Sequence, residues 1–187
     1  MIFNEEKNLS KRWGSSLLYF RKKRRNETMS ANIKKPNDLV IENARILYRN
    51  FKGEESAYNR KGDRNFCVII DNPEFAEELI NDGWNIKYTK PKEDSDYEPV
   101  PYLPVRVNFD VIPPNVFAVT RKKKTRLTAN TVESLDYAEI KTVDLTIRPR
   151  IWEIGGKSGI KAYLKTMYAI IEEDEFADKY DDLYTED

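Results

Sequence analysis

The run Arg148-Pro149-Arg150-Ile151-Trp152-Glu153-Ile154-Gly155-Gly156-Lys157-Ser158-Gly159-Ile160-Lys161-Ala162-Tyr163-Leu164-Lys165 decides the fold. Arg148, Arg150 and Trp152 alternate before the glycines, and Lys161, Tyr163 and Lys165 alternate after them. Successive side chains of a strand point to opposite faces, so each trio shares one face. The other face of the first run carries Val143, Leu145, Ile147 and Ile151. That of the second carries Ile160, Ala162, Leu164, Tyr168 and Ile170. With Gly155-Gly156-Lys157-Ser158 as a hairpin turn, Trp152 is expected opposite Lys161 and Arg150 opposite Tyr163. A register change of two preserves this facing, whereas a slip of one destroys it. The expected product is a sheet face of cations and flat rings over an apolar underside. Such a face stacks bases and neutralises phosphates. It also suits a solvated antiparallel face whose Lys and Arg stems shield exposed rings.

Working outward, the preceding chain reads as short strands with one or two short helices. Leu39 to Phe51 reads as one long strand, with Val40, Ala44, Ile46 and Tyr48 on one side. Arg45, Leu47, Arg49 and Phe51 take the other. A polar link with Gly53 and Gly62 leads to a second strand, Arg64 to Ile70, rich in β-branched and aromatic residues. Asp71 or Asn72 caps a helix that starts at Pro73, carries Phe75, Ala76, Leu79 and Ile80 at helical spacing, and stops at Gly83. Further strands are expected at 85–90 and 102–112, separated by an acidic loop. Beyond Pro113-Pro114, segments 116–120 and 126–128 flank the basic tip Arg121-Lys122-Lys123-Lys124, and 131–137 forms a helical turn or two. There is no internal repeat and no alternation of strand and helix, which favours a small mixed or Greek-key β-barrel over a doubly wound sheet.

Bulk composition narrows the chemistry. The 187 residues are 40% hydrophobic and 34% charged, enough for one core. No apolar run reaches the roughly 20 residues that span a bilayer, and no secretory signal is expected. The single cysteine, Cys67, excludes an internal disulfide framework and reads as a small buried hydrophobe, in keeping with a reducing cytoplasm. Histidine is absent, which removes Ser-His-Asp and Cys-His nucleophiles and His-ligated zinc. No cofactor and no resident metal are expected. Glu139-Ile140-Lys141 near Asp136 or Asp144 keeps a metal-dependent nuclease open as an alternative, though so short a match arises often by chance. Gly155-Gly156-Lys157-Ser158 lacks the glycine spacing of a phosphate-binding loop, and a hairpin turn is the better reading.

The zero net charge conceals segregation. Residues 1–28 hold eight Lys/Arg against three Asp/Glu, residues 172–187 one against nine, and the body 23 against 20. Residues 1–37 are read as a basic, loosely ordered leader. Met29 is expected to be the natural first residue, which an intact mass of the native protein tests; a basic nucleic-acid-binding arm is the alternative. Residues 38–171 form the body and 172–187 an acidic tail. In the tail Phe176, Tyr180 and Tyr184 share one face of an amphipathic helix, either docked on its own core or recognised by a partner.

The cation set expected to meet phosphates is Arg45, Arg49, Arg64, Arg121, Lys122, Lys123, Lys124, Arg148, Arg150, Lys161 and Lys165. Trp152 and Tyr163 would stack bases, with Tyr48, Phe51 or Phe66 as further candidates. The long first strand, the helix between strands, the run Gly159-Ile160-Lys161-Ala162-Tyr163-Leu164 and the acidic end together resemble phage-encoded single-stranded-DNA-binding proteins. These are built on an oligonucleotide/oligosaccharide-binding (OB) barrel. The resemblance covers about residues 38–187 and implies a mainly β, OB-like Greek-key barrel. It implies stoichiometric coating of single strands without catalysis, in the bacterial host cell, and the stacking rings are expected to bind with little sequence preference. It further implies replication or recombination partners reached through the tail, and no membrane; a homodimer is compatible with it. Such tails often finish on an aromatic, whereas this chain finishes Tyr184-Thr185-Glu186-Asp187. A protein-binding module that occupies a host or phage enzyme is the remaining alternative.

Overall fold

Gly155 and Gly156, at φ 59° and 73°, make a two-residue turn of the mirror-image kind that matches strand twist. Around it the computed structural model, which describes residues 36–90 and 98–173, builds the hairpin of strands β8 (Ile140–Ile154) and β9 (Lys157–Ile171). The turn is two residues shorter than the four-residue version, so Trp152 faces Gly159, Arg150 faces Lys161 and Arg148 faces Tyr163. The shift is even, and the facing survives. The chain divides between Lys34 and Lys35 into two units, and the described residues lie in the second. The expected leader over 1–35 and the tail aromatics Phe176, Tyr180 and Tyr184 fall outside the described residues.

The other elements are β1 (Leu39–Ala44), β2 (Ile46–Asn50), β3 (Arg64–Ile69), α1 (Pro73–Asn81), β4 (Lys87–Tyr88), β5 (Pro101–Val107), β6 (Asn115–Val119) and β7 (Lys124–Leu127). A 3-10 helix covers Val132–Asp136. Strands order as β1-β8-β9-β5-β3-β2; β5 and β9 are parallel, whereas β1–β8, β8–β9, β3–β5 and β2–β3 are antiparallel. This hydrogen-bonded ladder does not close, because its ends β1 and β2 do not pair with each other. They are successive pieces of one run joined at Arg45, whose carbonyl accepts the Ile69 N–H at 2.9 Å. The fold is mainly β, as expected, and its sheet is not closed into a barrel. Strand β6 adds a parallel ladder along the second half of β9 and carries β7 on its other edge.

Burial follows the alternation. Val143, Leu145 and Ile147 from β8 meet Ile160, Ala162 and Leu164 from β9, with Phe66, Val68, Leu103 and Val105 closing the core. Each such aliphatic or aromatic side chain contributes roughly 1.5–3 kcal/mol on burial. Helix α1 begins where the Asn72 Oδ1 accepts the Glu74 and Phe75 N–H groups and Pro73 presets the first turn. It buries Ala76 and Leu79 and ends at Gly83, whose φ of 91° is open to glycine at little cost. The Gly83 carbonyl accepts the Ile160 N–H, which ties the helix end to β9.

Three expectations need correction. Leu39 to Phe51 is two strands, because Asn43 and Tyr48 adopt φ 53° and 50° and the register shifts beside both. Tyr48 therefore turns outward, 63% exposed, while Phe51 goes inside. Phe51 and Phe66 are wholly buried and stacked on each other with centroids 5.2 Å apart, so neither is available to a base. In β9 the pairing runs from Ile147↔Leu164 to Thr146↔Thr166 and skips Lys165. That bulge flips the phase: Met167 and Ala169 enter the core, while Tyr168 and Ile170 leave the apolar side assigned to them. Ile151, also expected underneath, is 38% exposed where the hairpin runs past the core.

Candidate nucleic-acid interface

The outer face of the β8–β9 hairpin presents Arg148, Arg150 and Trp152 beside Lys161 and Tyr163. Trp152 and Tyr163 are half-buried and stand on the same side. The Lys161 Nζ lies 6.0 Å from the Trp152 ring and the Arg150 Cζ 5.9 Å from the Tyr163 ring. The indole lies against Gly159, where a Cβ would sit 3.1–3.2 Å from Trp152 Nε1, Cε2 and Cζ2. Arg150 and Lys161 are directly opposed like charges, both exposed, an arrangement that destabilises a strand pair. Ion pairs among the described residues engage Arg45, Lys52, Arg106 and Lys165, and leave out Arg148, Arg150 and Lys161.

Parallel pairing sets Arg106 of β5 beside Tyr163, extending the row from Arg148 through Tyr163 and Arg106 to Asn65. A cleft of about 270 Å3 opens there, lined by Tyr163, Lys52, Arg64, Arg106 and Phe109 among others. The Arg64 guanidinium lies 5.4 Å from the Phe109 ring centroid. Asp63 and Asp110 also line the cleft, and Asp63 lies 4.0 Å from Arg106. The loop on its rim is fixed at the base. The Asp136 carboxylate accepts the Phe51 and Lys52 N–H groups, both at 2.8 Å, and Asn50 Oδ1 accepts those of Gly53 and Glu54.

The other expected cations take varied places. Arg45 pairs with Asp71 and Lys165 with Asp38. Arg49 is half-buried and donates from Nη1 to the Leu135 and Ala138 carbonyls, holding the 3-10 helix and the residues after it. The Arg121 N–H donates to Glu173 Oε2, and Lys122 and Lys123 are exposed beside it at the β6–β7 turn. Lys124 sits 5.2 Å from the Phe117 ring centroid and 5.8 Å from that of Tyr168. Tyr48 meets Tyr102 edge-on at 5.9 Å. Reading the residues alone missed Lys52, Arg106, Phe109, Phe117 and Tyr168. The first three join the face only through pairing of segments far apart in the chain, which no local pattern encodes.

The two aspartates of the nuclease alternative are otherwise engaged. Asp136 holds backbone amides, and Asp144 Oδ1 accepts the Asn43 N–H at 2.8 Å. Among the described residues no three acidic or thiol groups converge on a metal position. Burial pushes the Cys67 thiol up to about 11, which leaves it protonated near neutral pH. No helix among the described residues is long and apolar enough to cross a membrane.

Rings beside cations on one outer sheet face are the combination that nucleic-acid-binding surfaces use. Residues 29–187 match the family described as phage ssDNA-binding domain, and the chain belongs to that family. Single-stranded DNA is its partner. Among solved structures it is similar to the single-stranded DNA-binding protein of bacteriophage Enc34. The C-terminally truncated form is 15% identical, with 73% of this chain and 87% of that chain covered at a TM-score of 0.47. The form in complex with ssDNA is also 15% identical, with 74% and 89% covered at 0.48. No curated protein matches the chain.

Proposed function

We propose that the protein coats single-stranded DNA with little sequence preference, through the outer face of β8–β9 and the adjoining cleft, and performs no catalysis. Trp152 and Tyr163 stack bases, and Arg148, Arg150 and Lys161 hold phosphates. Arg64, Arg106 and Lys52 extend the site along the cleft. The observation that carries this reading is the opposed pair Arg150–Lys161, set between two rings and outside the ion pairs of the described residues. A polyanion relieves that repulsion, and rings accept any base by its π-face. Of the remaining expected cations, Arg121, Lys122, Lys123 and Lys124 contribute a basic approach at the β6–β7 turn. Arg45, Arg49 and Lys165 serve first through the contacts they already make. The protein works on phage DNA during replication or recombination in the host cytoplasm. Its acidic tail, through Phe176, Tyr180 and Tyr184, recruits partner proteins.

Fluorescence titration with oligo-dT, duplex DNA and single-stranded RNA tests the reading. Trp152→Ala and Tyr163→Ala should each weaken oligo-dT binding by ~1–3 kcal/mol with melting unchanged. Unaltered affinity in both variants would remove the stacking mode.

A further inference from the structure

We propose a second base-stacking station on the far half of β9: the Phe117–Tyr168 pair beneath Lys124, which carries the single strand from Tyr163 onto the β6–β7 sheet. The inference rests on the stacking role of Trp152 and Tyr163 above and extends the path beyond it. Its origin is the bulge at Lys165. Without that extra residue Tyr168 would point into the core; with it, the ring stands on the outer face that Lys161 and Tyr163 already share.

Parallel pairing brings Phe117 of β6 level with Tyr168, and the two half-buried rings lie 5.0 Å apart at 11°. Lys124 stands over both and takes no part in the ion pairs of the described residues. Arg126, cross-strand from Phe117, donates to Asn115 Oδ1 and adds a second cation. Two carboxylates are near: Asp144, opposite Tyr168 and accepting the Asn43 N–H, and Glu173, accepting the Arg121 N–H.

The spacing supports one track. Trp152 faces Gly159, four residues before Tyr163 on β9; Tyr168 comes five residues after it, one of them bulged. At ~3.3 Å per residue, both intervals are roughly 13–17 Å. Rings and cations therefore recur at near-equal steps along one outer strand face, a pattern that fits a flexible polyanion with bases and has no use in a core.

Titrations with labelled oligo-dT of ~4 and ~16 nucleotides, the range one OB fold covers, decide the matter. Tyr168→Leu and Lys124→Gln should weaken the long oligonucleotide by about fivefold or more, as expected for part of a stacked base, and leave the short one unchanged. Lys124→Gln changes an exposed side chain, so it decides should Tyr168→Leu fail to fold. Unchanged long-oligonucleotide binding while Trp152→Ala weakens it would overturn the second station and leave the first standing. Equal losses on both lengths would also overturn it, because a general field rather than a local contact would be at work. Indifference of Trp152→Ala as well would remove both.

Discussion

Gly159→Ala is the most discriminating single change on the hairpin. Gly159 has no left-handed φ, so its backbone accepts an L-residue without strain. Replacing glycine inside a strand removes unfolded-state entropy and should leave stability level or raise it by ~0.5–1 kcal/mol. The new methyl, however, would lie 3.1–3.2 Å from three atoms of the Trp152 indole. Carbon contacts are best at ~3.5–4.0 Å, so the ring must tilt off its floor. Holding a side chain about 30° from a rotamer well costs ~0.5–1.5 kcal/mol. A base stacking on the indole must push the ring back against the methyl, whose overlap costs more than the tilt that avoids it, so affinity for oligo-dT should fall several-fold. Fluorescence anisotropy in four proteins, wild type, Gly159→Ala, Trp152→Ala and the double variant, isolates the effect as a coupling. Gly159→Ala should change nothing further once the indole is gone. An equal loss in the Trp152→Ala background, or no loss in the wild-type background, would refute the placing of the ring by the glycine.

Binding of oligo-dT should weaken steeply with salt, at ~0.7 logarithmic unit per phosphate contact, and Ala at Arg148, Arg150 or Lys161 should each flatten the slope by about that amount; a flat wild-type dependence would sink the basic face. Asp136→Ala removes the acceptor of two loop amides and should destabilise the fold by ~1–3 kcal/mol in urea while weakening oligo-dT binding through the loosened cleft rim; unchanged stability would deny it that structural role. Cys67 titrates near 9 when unfolded and about 11 when folded, so the unfolded chain ionises first and stability on its account falls as pH climbs from 9 to 11. The difference in stability between wild type and Cys67→Ser should therefore depend on pH in that window and be constant below it; a constant difference throughout would contradict the burial.

How much of this was legible depends on how local the signal was. The β8–β9 hairpin was readable because glycines punctuate it and its alternation is unbroken from Ile147 to Trp152 and from Ile160 to Lys165. The length of its turn was not, since loops of two and four residues satisfy the same pattern. Helix α1 announced itself through Asn72, Pro73 and Gly83. The bulges at Asn43, Tyr48 and Lys165 had no such markers, because none of these is a glycine. Each reverses the facing of the residues after it, and so Phe51 enters the core and Tyr168 leaves it. Arg49 looked like any outward arginine until the 3-10 helix arrived to receive it. The parallel contacts of β9 with β5 and β6 join segments about 50 residues apart, and without them Arg106 and Phe117 have no reason to belong to the site.

The charged face and the core are consequences of one register. Ile147, Ile160, Ala162 and Leu164 are sealed, and a one-residue slip of β9 would bring its three to the surface at roughly 1.5–3 kcal/mol for each large side chain. The same constraint forces Lys161 and Tyr163 outward and sets Arg150 against Lys161. Packing therefore fixes a repulsion that local charge preferences oppose. A sequence free to optimise the unbound fold could replace either cation with a carboxylate and gain a cross-strand pair. Retaining two cations there makes sense where a third, negative body normally completes the arrangement, and a nucleic-acid backbone supplies negative charge continuously along the same line. Lys161→Glu should thus raise the melting temperature of the unbound protein while reducing its affinity for oligo-dT; a fall in both would mean that the opposed cations stabilise the hairpin in some other way.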